Sequence, residues 1–456
     1  MKNKIIYIVF LLTSLFIGCK SGDELYLSPN DPVDGTPQTL LTVLQVNTFA
    51  NVEGELNRLS GILVQHMAGT DNQYVPFQNY NITAGDFDNS WQGLYSGTMQ
   101  NAYLLINKTK DDNPYYAGIG RVLMAVNLGI ATDLWGDVPY SESFKLTEGV
   151  KNPVYDSQKS VYASIDALLE QAIADFAKPA SANVVEPEDD DLMFSGDMGL
   201  WTKAAYTLRA RYLHRTSGKV AGTEAKVLQY LTNGISSNSE NLEAVHTAVG
   251  GTQNQWGAFK NSRKGYIVAN KKFVDYLKSR NDPRISYFLT KDSQNDYSGG
   301  DITQEQISTS VSTIGDFFAT SQNFPIVTFY EAKFIEAEIL EKQGDLNAFS
   351  VLNDAISASV DYVTKGVGNA SPVANYSVAN TNLENIMTEK WVAMFGQLEA
   401  YNDYRRTKFP SLAPRPSSAG AVRAYIPLRY PTPQNSSLYN PNAKYVELNI
   451  PVWWGN

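Results

Sequence analysis

Tyr330-Glu331-Ala332-Lys333-Phe334-Ile335-Glu336-Ala337-Glu338 opens a helical run that stops at Gly344-Asp345. Its small alanines, Ala332 and Ala337, leave room for a second helix to approach closely. That second helix follows at once, with Leu352, Ile356, Val360 and Val363 recurring on one side at helical spacing. The two read as a helix–turn–helix pair. The same period appears upstream in Val161, Ile165, Leu168, Ala172 and Phe176, which end before Pro179. Trp201, Ala204, Leu208 and Tyr212 repeat it and stop before Gly218. Downstream, Thr381 and Glu384 have the spacing of a capping box for a helix carrying Trp391, Phe395 and Leu398. Helical periodicity therefore predicts a mainly α fold, with strands confined to short hairpins.

Between the helical runs lie long segments at residues 70–90, 233–266, 291–324 and 408–456, rich in Gly, Asn, Ser, Thr, Pro and aromatics. Irregular segments of this length are uncommon in a compact domain and are usually functional when ordered. The layout is a rigid helical scaffold bearing elaborate loops.

Net charge is -10, which argues against nucleic acid or anionic lipid as the partner, since both repel an acidic surface. The three histidines, His66, His214 and His246, fall into no metal-site spacing, so no metal or other cofactor is expected. The run from Glu186 to Asp191 lacks the spaced ligands and glycine of a calcium loop and reads as a solvated turn. The sequence holds no G-x-S-x-G elbow, P-loop lysine motif, H-E-x-x-H or CxxC, and the expectation is a binding protein without catalytic residues. A glycosidase needs only two carboxylates, so a surface glycoside hydrolase stays open at this point, as does a structural adaptor.

The N-terminus carries its own message. Lys2 and Lys4 precede an apolar run from Ile5 to Ile17, too short to span a bilayer comfortably and apt for a signal-peptide core. Phe16-Ile17-Gly18-Cys19 follows and resembles a lipoprotein cleavage site, with Phe16 where leucine is usual. Cys19 is the only cysteine in the chain and is the expected lipidation site. The organisation read from this is a signal peptide at 1–18, a lipidated tether at 19–39 and a single domain at 40–456. The membrane is then met through the lipid anchor alone.

Five further stretches occur in order. They are Ala131-Thr132-Asp133-Leu134-Trp135-Gly136-Asp137-Val138-Pro139-Tyr140; Asp191-Leu192-Met193-Phe194-Ser195-Gly196-Asp197 with Trp201 and Leu208-Arg209-Ala210-Arg211; Glu389-Lys390-Trp391-Val392-Ala393-Met394-Phe395-Gly396 with Tyr404-Arg405-Arg406-Thr407; Ile426-Pro427-Leu428-Arg429-Tyr430-Pro431; and Val452-Trp453-Trp454. Together they resemble the SusD/RagB family of outer-membrane lipoproteins, in its SusD-like branch. The resemblance implies a tetratricopeptide-like helical scaffold with long irregular loops and a few short strands. It implies a lipid-anchored protein of the Bacteroidetes outer membrane, facing the cell exterior. It also implies a partner, a SusC-like TonB-dependent transporter that the protein closes as a lid while capturing glycan or, in some members, peptide. The blocks themselves have structural readings. Asp133, Trp135, Gly136 and Asp137 fit a helix end, Arg405 and Arg406 an internal ion-pair role, and Trp453 and Trp454 a docked terminus.

A sugar site needs aromatic faces edged by amides or charged groups, mostly on loops. Two segments offer the mixture. One holds Asn72, Tyr74, Phe77, Asn79 and Tyr80; the other holds Trp256, Phe259, Arg263 and Tyr266. Neither carries a dense charge cluster, which favours an oligosaccharide over a peptide. Trp91, spaced helically with Leu94 and Tyr95, is expected to pack in the core.

Overall fold

A computed structural model describes residues 35–367, 373 and 375–455. Cys19, the signal peptide and most of the tether lie outside these residues. The first helix among the described residues, α1 (Pro37–Glu53), begins inside the segment read as tether. Thr36 caps it by accepting from the Thr39 amide, and Pro37 sits in the first turn, where its missing N–H costs nothing.

The core is built around α5 (Pro114–Trp135), preceded by α2 (Glu55–Leu63), α3 (Tyr74–Gln78) and α4 (Gln100–Thr109). Helix α5 is long and apolar enough to cross a membrane, but 94% of that window is buried inside the protein, which makes it a core helix. It packs against α1, α4 and α6 (Gln158–Phe176). Helix α7 (Met198–Arg215) lies on α6 and on α8 (Glu224–Thr232). Next come α9 (Gln255–Ser262) and α10 (Lys271–Ser279). The hairpin read from the sequence is α11 (Phe329–Lys342) against α12 (Ala348–Thr364), turned by Gly344 at φ +69°. Ala337 and Ala355 are fully buried between the two helices. Helices α13 (Leu383–Ala393) and α14 (Leu398–Thr407) complete the scaffold. The α13 cap differs from the expected capping box. Asn382 accepts from the Asn385 amide at 2.9 Å, while the Thr381 hydroxyl donates to the Ser377 carbonyl. An Asx side chain caps at least as well as threonine.

Strands are short and few among the described residues. Strand β1 (Met67–Gly69) pairs antiparallel with β3 (Ile267–Ala269), and β2 (Leu242–Ala244) with β4 (Phe324–Val327). The long segments are less irregular than their composition suggested, since 70–90 contains α3 and 233–266 contains α9.

Charge is buried on a large scale beneath α7. Arg215 bridges Asp133 at the end of α5 and Glu399 of α14. Arg211 takes Glu331 of α11 through Nε at 2.7 Å. Arg406 spans Glu338, with Nη2 to Oε2 at 2.7 Å, and Asp403 at 3.0 Å, and Lys390 also meets Asp403 at 2.8 Å. Burial alone would raise the Glu338 carboxyl, but Arg406 and His214 together outweigh it and hold the group well below the usual carboxylate range. The paired blocks thus tie helices to one another. The C-terminal segment closes over them, with Trp454 buried 4.8 Å from Arg405.

Candidate functional site

The β1–β3 ladder is three residues on each side, and it determines what the loops beyond it can do. Met67 faces Ala269, Ala68 faces Val268 and Gly69 faces Ile267. Past the ladder, the Thr70 amide donates to the Tyr266 carbonyl at 2.9 Å and the Thr70 hydroxyl to the Gly265 carbonyl at 2.5 Å. A glycine is required at 69, because a Cβ there would run into the Tyr74 backbone carbonyl. The Gly69 amide instead donates to Gln78 Oε1 at 2.9 Å, folding α3 back on the strand.

The ladder brings the two candidate segments into one cluster. The Tyr74 ring meets Phe259 edge-to-face at 5.3 Å and Tyr266 at 6.5 Å, and Phe259 meets Tyr266 at 6.3 Å. Arg58 of α2 lies with its guanidinium 4.6 Å from the Phe259 centroid and donates from Nε to the Tyr74 hydroxyl at 2.8 Å. Arg263 covers Tyr266 at 5.7 Å. Each such contact is a cation on a π face. Burial pushes the Tyr74 hydroxyl up, with Arg58 opposing. Beside the cluster opens a cavity of about 260 Å³ lined by Phe259, Lys260, Arg263, Lys264 and Thr313, with Trp256 behind.

The named residues divide into two sets. Asn72 and Arg263 are exposed, while Phe259 and Tyr266 are half-buried at the cavity and its cluster. Tyr74, Phe77, Tyr80 and Trp256 are at most 2% exposed, so the expectation that they present open faces to a ligand is corrected. Trp256 is stacked on Phe318 at 5.1 Å and backs the cavity without presenting surface to it; its indole N–H has no partner. Helix α9 holds it there through Asn254, whose side chain accepts from the Trp256 and Gly257 amides. Asn79 and Tyr80 turn away from the cluster. Asn79 Oδ1 and the Tyr80 hydroxyl accept from Arg415, through Nε and the backbone amide respectively. The expectation of a charge-poor site is also corrected, because Lys260, Arg263 and Lys264 line the cavity together. Sequence reasoning missed Arg58 and Thr313. Arg58 sits in ordinary helical sequence, and Thr313 in a segment whose position depends on Thr290, with which it exchanges backbone and hydroxyl contacts.

The SusD-like family, described as "Starch-binding associating with outer membrane", matches residues 29–433 of this sequence. The chain belongs to that family. The SusD-like protein is also similar in structure to a SusD/RagB family protein from Bacteroides thetaiotaomicron VPI-5482, at 24% identity and TM-score 0.78 over 92% of this chain and 99% of that one. A chitin-binding SusD homolog from Flavobacterium johnsoniae gives 24% identity and TM-score 0.75 over 92% and 97%. A further chitin-binding protein gives 22% and 0.76 over 92% and 100%. At these identities the likeness establishes the fold, the helical scaffold described above. No curated protein matches the sequence.

Proposed function

We propose that this SusD-like protein is a cell-surface lipoprotein, anchored through Cys19, that captures oligosaccharide for a SusC-like TonB-dependent transporter and closes it as a lid. The observation that carries the ligand half is an open cavity lined by Phe259 and Arg263, backed by the cluster in which Arg58 and Tyr266 pack against those two residues. A sugar ring uses aromatic area for its C–H face and side-chain donors for its hydroxyls. Lys260 and Lys264 at the cavity supply side-chain donors that no hydrogen bond among the described residues consumes. Such a site binds and releases its ligand unchanged. The family description supports outer-membrane association, and the chitin-binding relatives put N-acetylglucosamine oligomers first among the sugars to try.

The transporter half draws support from the C-terminal segment. Val422, Leu438, Tyr439, Tyr445 and Ile450 are large apolar side chains left exposed within it, the composition of a surface that meets another protein.

Calorimetry with chitin, starch and acidic oligosaccharides, alongside peptide mixtures, tests the ligand. Binding of an oligosaccharide that is left uncleaved is expected, and heat with peptides alone would overturn the glycan reading. Detergent extraction of native membranes tests the partner. Recovery of the protein alone at every detergent strength would argue against a lid.

A further inference from the structure

A second cavity, of about 360 Å³, lies where α5 ends at Trp135 and Gly136 and the C-terminal segment folds over it. It shares no lining residue with the first. Its walls include the half-buried rings of Trp91, Tyr155 and Trp453, and Lys444 stands exposed at its rim. Arg429 lines it while only 8% exposed. Its Nη2 donates to the Trp135 carbonyl, and its buried Nε has no partner. Among the described residues no carboxylate pairs with it, in contrast to Arg211, Arg215 and Arg406. Asp137 lines the same cavity, but it is exposed and beyond ion-pair distance, and its Oδ1 already accepts from the Gln158 amide. Arg405 adds to the positive field and outweighs the opposing charge of Asp137, so that burial first and Arg405 second hold Arg429 below the usual arginine range. A buried guanidinium with spare donors and no carboxylate at ion-pair distance is costly unless something supplies the anion.

We propose that this cavity is a second ligand site, for a carboxylate-bearing sugar residue such as a uronate. A carboxylate matches the guanidinium fork with two parallel hydrogen bonds. The aromatic walls take the pyranose ring, a contact that a bare phosphate does not use. The volume, near the lower end of the roughly 300–1,000 Å³ of ligand pockets, suits one or two sugar rings rather than a long chain. A peptide carboxylate needs amide partners for its backbone. The Asn442 amide at the rim is already donating to the Asn152 and Pro153 carbonyls, at 3.0 and 3.4 Å.

Tryptophan fluorescence of the full chain, titrated with digalacturonate, its methyl ester and a neutral digalactoside, tests the proposal. Digalacturonate is expected to give a saturable change, and the ester and the neutral sugar to bind at least tenfold more weakly. Arg429→Gln removes the charge and is expected to abolish the preference. Val154→Trp fills the cavity from its exposed wall and leaves Arg429 in place, so it decides the matter if Arg429→Gln unfolds; it too is expected to lose at least tenfold. Equal binding of acid and ester overturns the proposal, as does unchanged binding by Val154→Trp or tighter binding of a blocked dipeptide.

Discussion

Beneath α7, Arg211, Arg215 and Arg406 are each held by carboxylates and cut off from water; at the rim of the β1–β3 ladder, Arg58 and Arg263 lie over Phe259 and Tyr266 with no carboxylate in ion-pair reach among the described residues. The residue types are the same. The interior set has its donors occupied, so it fixes the angles between helices and offers nothing to a ligand. The rim set retains donors and is screened by water. Saturation of the donors, more than residue identity, separates scaffold from site.

The largest effect is expected from breaking the interior set. Arg215→Ala leaves Asp133 and Glu399 buried together without their shared cation, and should cost about 3–5 kcal/mol in urea denaturation. A cost below about 1 kcal/mol, the value of an exposed pair, would erase the contrast. Trp256→Ala comes next. A fully buried tryptophan stacked on Phe318 should also cost about 3–5 kcal/mol, and any loss of ligand binding should follow the loss of folded protein.

A smaller effect concerns an interior group that stays neutral. His66 receives the Gly396 amide at Nδ1 and donates from Nε2 to the Trp391 carbonyl, and burial lowers its pKa from 6.5 to about 3. As pH falls below 6.5 the unfolded chain takes the proton first. The His66 contribution is therefore complete above 6.5 and is lost progressively toward 3, at about 1.4 kcal/mol per pH unit for one proton. His66→Gln should flatten that part of the stability profile; an unchanged slope would assign it to other groups. The smallest effect sharpens the rim side. Phe259→Ala should weaken oligosaccharide binding about tenfold, or about 1.4 kcal/mol, with the melting temperature nearly unchanged. A large fall in melting temperature would move Phe259 into the scaffold beside Trp256.

The scaffold was legible because helices announce themselves locally. Residues four apart share a face, so Leu352, Ile356 and Val360 needed no knowledge of their partners, and Gly344 marked the turn by itself. The site was legible only in composition. Its two segments were singled out separately, but their meeting depends on Met67-Ala68-Gly69 and Ile267-Val268-Ala269, strands too short to show an alternating pattern. Burial was the other hidden quantity. Trp256 in a loop-rich stretch looked available, yet its covering ring, Phe318, comes from a segment with no periodicity to place it. Arg429 stood inside a recognised block whose sequence gives no sign that it lacks a carboxylate at ion-pair distance.

The joint between the two site segments is made by main chain. The Thr70 amide reaches the Tyr266 carbonyl, and the bonds on the strand side are amide to carbonyl. Amides and carbonyls are indifferent to which side chains flank them. In the proposed site, exchanges at Phe259, Lys260 or Arg263 would therefore alter the cavity lining while leaving the alignment of the loops intact, whereas Gly69 admits no exchange. A receptor assembled this way is easily retuned: selection can rewrite its taste residue by residue without rebuilding the mouth that does the tasting.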